Sequence, residues 1–150
     1  ISAAWRDDSG RLRTALLDAR PGVEWVADRT RELVRRWRPG PIWFDQAGPA
    51  VGIADALNRA RIPTKPITAN HYAAACQQVF DAIDAGQITY HPEPLLDAAV
   101  AGVAKRQLGE RWVWGRRTSS ADISPLTSLT CASWGFDHRP RAPKTQSHGQ

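Results

Sequence analysis

The stretch Ile42 to Ala50, Ile-Trp-Phe-Asp-Gln-Ala-Gly-Pro-Ala, constrains the fold more than any other part of the chain. Pro41 opens it, and three strand-forming residues follow (Ile42, Trp43, Phe44). A short continuous apolar run reads as a strand buried on both faces. Asp45 stands at its carboxyl end, just ahead of the Gly48-Pro49 turn. Open α/β sheets bind ligands outside the carboxyl ends of their strands. An unpaired carboxylate cannot be left in a core, because burial of an uncompensated charge costs several kcal/mol. Two roles remain open for Asp45: a side-chain cap of the turn or following helix, or a catalytic or metal-binding acid.

The rest of the chain supplies the order of elements. Ser2 to Arg6 and Leu12 to Ala19 read as two strands joined by the turn residues Asp7-Asp8-Ser9-Gly10, an antiparallel hairpin. Val23, Val26, Thr30, Leu33, Val34 and Trp37 recur at helical spacing, with Arg29, Arg31, Arg35 and Arg36 on the opposite face. Pro39-Gly40-Pro41 stops that helix and the Asp45 strand follows. A short helix is expected over Val51 to Arg61, and an edge strand between prolines over Ile62 to Ile67. Tyr72, Cys76, Val79, Phe80 and Ile83 mark an amphipathic helix ended by Gly86. Ile88 to Tyr90 is a brief strand. Pro94 opens a helix with Leu95, Leu96, Ala99, Val100 and Val103 inward. Trp112 to Trp114 suggest a strand, followed by the basic polar loop Arg116-Arg117-Thr118-Ser119-Ser120. A last helix opens at Asp122-Ile123-Ser124-Pro125. From Asp137 onward the chain reads as a disordered basic tail.

This is an α/β order. The return from the hairpin to the Asp45 strand passes through a helix, which implies a right-handed crossover, a parallel pairing and therefore a mixed sheet. At 150 residues the chain is expected to form one domain, residues 1–136, ahead of the tail at 137–150. No apolar run approaches the roughly 20 residues of a membrane span, and the first residues lack the pattern of a signal peptide. The sequence contains no Met, which suggests a fragment or excised domain. Cys76 and Cys131 match no zinc spacing and read as buried reduced thiols of a cytosolic protein. The net charge of +5 allows a polyanionic partner.

Two acids stand at junctions rather than on solvated helix faces: Asp45, and Asp122 before the last helix. Two carboxylates drawn together from distant positions repel unless a cation lies between them. Mg²⁺ takes oxygen ligands and keeps several waters, so a few carboxylates suffice. For Asp122 an N-cap role is the alternative. Arg116 and Arg117, and with them Lys105 and Arg106, are candidates to grip phosphates. Each of these pairs is equally consistent with a solvated loop.

The ordered series of stretches resembles the nuclease domain of tailed-phage terminase large subunits, which has a ribonuclease H-like fold. It comprises Ile42-Trp43-Phe44-Asp45 with its Gly-Pro turn, the helix Tyr72 to Asp84, Gly86 to His91, Leu96 to Gly102, Lys105-Arg106, and Trp112-Val113-Trp114 leading to Asp122-Ile123-Ser124-Pro125-Leu126. The resemblance implies a ribonuclease H-like mixed sheet flanked by helices. It also implies a metal-dependent endonuclease that cuts concatemeric viral DNA during packaging. Three acids in that family hold two divalent ions, Mg²⁺ or Mn²⁺. The resemblance puts Asp45 at the second acid and Asp122 at the third. The first belongs on a strand preceding the hairpin, and Ile1 to Ala4 already match the second strand, so the first strand and its acid are missing. The implied partners are double-stranded DNA, an ATPase motor domain, a small terminase subunit and a portal, in the host cytoplasm and without a membrane. The chain has no phosphate-binding Gly-x-x-x-x-Gly-Lys-Ser/Thr loop of its own. The alternatives are a catalytically inactive fragment or assembly module that keeps the fold, and a related enzyme such as a junction resolvase.

Overall fold

Asp7 builds the first turn. One of its carboxylate oxygens accepts from the N–H and the hydroxyl of Ser9 and from the N–H of Arg11, while Gly10 takes a positive φ of 80°. These bonds, with the Arg13 guanidinium, hold the Asp7 carboxyl well below the usual range. In the computed structural model, which describes residues 1–140, the turn joins β1 (Ser2–Arg6) and β2 (Leu12–Leu16) in an antiparallel pair. β2 ends three residues earlier than expected from sequence. The N–H groups of Leu17 and Asp18 both converge on the Ile1 carbonyl, where β1 runs out as a partner.

The remaining elements are α1 (Val26–Trp37), β3 (Ile42–Asp45), α2 (Val51–Arg59), β4 (Thr64–Ile67), α3 (Ala69–Asp84), β5 (Ile88–Tyr90), α4 (Pro94–Gly102), β6 (Lys105–Leu108), β7 (Arg111–Trp114) and α5 (Ser124–His138). The chain is thus α/β, with parallel and antiparallel pairings. α1 stops at Arg38, which adopts a left-handed φ of 45°, because the residue before a proline is disfavoured in the right-handed helical region. α4 is capped by Glu93, whose carboxylate accepts from the N–H groups of Leu95 and Leu96. Glu93→Ala removes both bonds and is expected to cost about 1 kcal/mol in denaturant unfolding, with the fold retained.

The sheet differs from the single mixed sheet expected. There are three separate sheets among the described residues: β1-β2-β5, β3-β4 and β6-β7. The parallel partner of β2 is β5, and that of β3 is β4. The crossover through α1 constrains the direction of the returning strand, but consecutive elements become neighbours only about two-thirds of the time. β6 was not foreseen. Its residues, Lys-Arg-Gln-Leu, carry no apolar alternation, and it is held by its antiparallel partner β7 across a tight turn with Gly109 at φ 59°.

The core lies where α3 and α5 meet the strands. Cys76, Leu96, Ala99 and Leu129 are fully buried in it, with Leu12, Ile67, Ile88, Val113 and Trp114 around them. Leu33, Ala54, Leu57 and Ile62 are buried apart from that core, where α1 packs on α2. Not every Trp is a core anchor: Trp5 and Trp37 are 44% and 51% exposed. α5 continues through His138, beyond the boundary placed at residue 136. The His138 ring stacks on Trp134, and its Nδ1 lies 2.9 Å from the Trp134 carbonyl. Most of the expected tail, residues 141–150, lies outside the described residues.

α5 organises the two halves. The Ser128 hydroxyl donates to Ser2 of β1, and Arg6 lies over the Phe136 ring. On a neighbouring side of the same helix, Trp43 of β3 rests on Gly135, and the backbone of Asp45 bonds the Cys131 sulfur. α5 therefore runs parallel to β1 and antiparallel to β3, with its N-terminal end beyond the carboxyl end of β3.

Candidate active site

Alternation along β3 puts Trp43 and Asp45 on one face, toward α5. Asp45 is only 7% exposed. One carboxylate oxygen accepts from the N–H of Ala47 at 3.0 Å, and the Gly48 N–H donates to the Asp45 carbonyl at 3.0 Å. These bonds form the turn after the strand. The other oxygen accepts from Arg116 Nη2 at 3.3 Å. Gly48 makes that approach possible. A Cβ there would sit 2.6 Å from the guanidinium and 3.0 Å from the Asp45 carboxylate.

Arg116 reaches Asp45 because its loop is tied down. Gly115 N–H donates to the Ala104 carbonyl, Ser120 N–H to the Gly102 carbonyl, and Ala104 N–H to the Ser119 hydroxyl. The serines of the loop thus serve its shape. The register Lys105↔Trp114 and Arg106↔Val113 brings all four candidate phosphate-gripping residues to one end of the β6-β7 hairpin. Their roles differ. Arg106 and Arg117 are exposed, and Arg116 is paired with Asp45. The Lys105 ammonium sits 3.9 Å from the centre of the Phe80 ring and 4.3 Å from that of Trp112, so cation–π attraction holds it against α3.

Asp122 lies just before α5 and is exposed. Its carboxylate accepts from the N–H of Ser124 at 2.9 Å, a capping bond for the first turn of α5. Asp45 and Asp122 share no hydrogen-bond partner among the described residues. Both stand at the carboxyl end of β3. The Cys131 contact places the backbone of Asp45 about two turns, roughly 10 Å of helix rise, along α5 from its first residue.

Behind Asp45 is a buried polar cluster that sequence reasoning did not assemble. Burial pushes the Cys131 thiol up to about 12, and the neighbouring Asp45 carboxylate and Cys76 add to the effect. Burial likewise pushes Cys76 up to about 11 and raises the Tyr72 phenol above its usual range. Tyr72 donates to Thr127, and Trp114 Nε1 to Thr130, which in turn donates to the Leu126 carbonyl. Helical spacing identified Cys76 and Cys131 as apolar positions, but their approach to Asp45 comes from three separate elements. Both thiols are free and buried, so neither is a nucleophile at neutral pH.

These shifts have a sign. Unfolded thiols, at an ordinary value of 9.0, lose their protons before the folded thiols at about 11 and about 12. In that interval the native state binds more protons, so stability falls as pH rises. Denaturant midpoints are expected to be insensitive to these thiols below pH 8 and to decline from about pH 9 upward. A Cys76→Ala/Cys131→Ala variant should lose that part of the decline.

As donors, the Asp45 and Asp122 carboxylates suit one hard cation completed by water. A pair of ions needs further ligands. No group of three or more His, Cys, Asp or Glu positioned for a metal occurs among the described residues, and none of their helices is long and apolar enough to cross a membrane. No family model, curated protein or solved structure matches the chain.

Proposed function

We propose that the chain is a metal-dependent DNA endonuclease domain of ribonuclease H-like type, similar to the nuclease of terminase large subunits. One observation carries the reading. Asp45 is a buried carboxylate at the carboxyl end of a parallel strand, with an arginine on it and Asp122 at the same end of the molecule. Asp45 and Asp122 hold Mg²⁺ or Mn²⁺. Such an ion, when bound, activates water and stabilises the leaving oxygen of a phosphodiester. Arg117 and Arg106 grip the DNA backbone, so affinity falls steeply with salt and depends little on base sequence. Arg116 exchanges its Asp45 partner for a phosphate as substrate enters. On this reading the domain acts in a host cell, beside an ATPase motor, a small subunit and a portal supplied by other polypeptide.

The Arg116–Asp45 ion pair favours a second reading, a non-catalytic assembly module in which Asp45 is already satisfied. Supercoiled plasmid separates the two. The first reading expects nicked and linear products with Mg²⁺ or Mn²⁺ and none with EDTA. Intact plasmid with both metals, from protein that still binds DNA, favours the second.

A further inference from the structure

We propose that the interval between β1 and β3 is a receptor for one extended polypeptide strand with bulky apolar side chains at alternate positions. The strand would lie antiparallel to β1 and parallel to β3. This inference does not depend on the nuclease reading.

The hydrogen-bond ladder shows which backbone groups are free. Leu17 donates to the Ile1 carbonyl, and Asp7 to the Arg11 carbonyl. In an antiparallel pair alternate residues exchange both bonds, so Ile1, Ala3, Trp5 and Asp7 face β2. The N–H and C=O groups of Ser2, Ala4 and Arg6 therefore point to the opposite edge, where no strand pairs among the described residues. On β3, Ile42 donates to the Pro63 carbonyl and Gln46 to the Ile67 carbonyl. Even-numbered residues therefore face β4, and Trp43 and Asp45 face outward. The Asp45 groups are met by Cys131 and Gly48, which leaves Trp43 as the free donor and acceptor of β3.

The two open edges face each other across α5. Counted at about 100° per residue, Ser128 and Phe136, which meet β1, point roughly 80° away from Cys131 and Gly135, which meet β3. At a helix-to-sheet distance of about 10 Å that angle spans on the order of 13 Å, against about 4.8 Å between paired strands. One strand fits between them. Its directions follow from α5, which runs parallel to β1 and antiparallel to β3.

Two further features identify the occupant. Proteins commonly block an exposed edge with proline or charge. The outer edge of the β3-β4 sheet is blocked in this way, because Pro66 places its missing N–H there. Neither edge facing the interval carries a proline or a bulge. Beneath the interval α5 presents Ser128 and Ala132, both half-buried. Small residues on the supporting helix leave volume for large side chains on the incoming strand.

The test extends the full chain ahead of Ile1 by a Val-Thr-Val-Ile-Val strand and an Asn-Gly turn, because a strand antiparallel to β1 ends beside Ile1. A matched control carries proline at the central position of the added strand. Amide hydrogen exchange is read by NMR at Ser2, Ala4, Arg6 and Trp43. The expected result is exchange slowed by at least about 10-fold at all four amides, with no slowing in the proline control. Slowing at β1 but not at Trp43 would mean a simple extension of the hairpin and would overturn the proposal. So would no slowing at any of the four. Protection of these amides in the unextended chain that rises with protein concentration would assign the interval to a second copy, and would also overturn it.

Discussion

Gly135→Ala is expected to destabilise the fold by about 3 kcal/mol, or roughly 10 °C in Tm for a chain of this size. A Cβ at this position would collide with the Trp43 ring, with Nε1 at only 2.7 Å and two ring carbons closer still. A ring in a packed interface cannot swing aside like the end of a lysine. The substitution should gain about 1 kcal/mol of helix propensity, so a loss measures the contact and not the helix. Trp43→Leu in the same background makes room, and the pair of changes should cost less than the sum of the two by about 1 kcal/mol or more. Additive costs would mean that Trp43 does not rest on Gly135. The contact matters to the site because Trp43 and Asp45 share one face of β3. Seating Trp43 on α5 fixes the depth at which Asp45 is held.

Asp45→Asn is the second large effect expected, and it falls on activity rather than folding. The amide oxygen can still accept from the N–H of Ala47, so the turn after β3 survives. The Arg116 pair is lost, but Arg116 is 38% exposed in that contact, and such pairs contribute about 1 kcal/mol or less. Metal-dependent cleavage should fall by more than about 100-fold, since even residues one step removed from a metal cost 10- to 100-fold. Matched circular dichroism and a Tm within about 3 °C would separate this from unfolding. Cleavage by Asp45→Asn at the wild-type rate would remove Asp45 from the chemistry and leave it as the cap of its turn.

Local features of the fold were legible where chemistry and periodicity agreed. Asp7-Asp8-Ser9-Gly10 announced the hairpin, and its side-chain bonds and positive φ at Gly10 are those a tight turn needs. The α3 periodicity was equally plain: Tyr72, Cys76 and Val79 are all buried. β6 was not legible, because Lys105 to Leu108 owe their extended form to β7 rather than to their own pattern. Strand adjacency was not legible either. A crossover helix constrains the direction of the next strand, whereas pairing here is decided by what α5 holds apart.

At the candidate site, the strand and its terminal acid were visible, since an apolar run ending in Asp before Gly-Pro has few interpretations. The partner was not. Arg116 stood out as a basic loop residue, but nothing local to it or to Asp45 signals an ion pair between residues 71 positions apart. The thiols behind Asp45 were hidden for the same reason: each reads as an ordinary core position on its own helix.

The central claim is that Asp45 and Asp122 serve one cation, and Mn²⁺ titration followed by amide NMR tests it most directly. Bound Mn²⁺ broadens nearby signals. At substoichiometric Mn²⁺ the account predicts that Ala47 and Gly48, beside Asp45, and Ser124, beside Asp122, broaden together. Mg²⁺ should reverse the effect, and it should be absent in Asp45→Asn. Broadening at Ser124 alone, or at Asp84 and Asp97 on exposed helix faces with Ala47 and Gly48 unaffected, would contradict it.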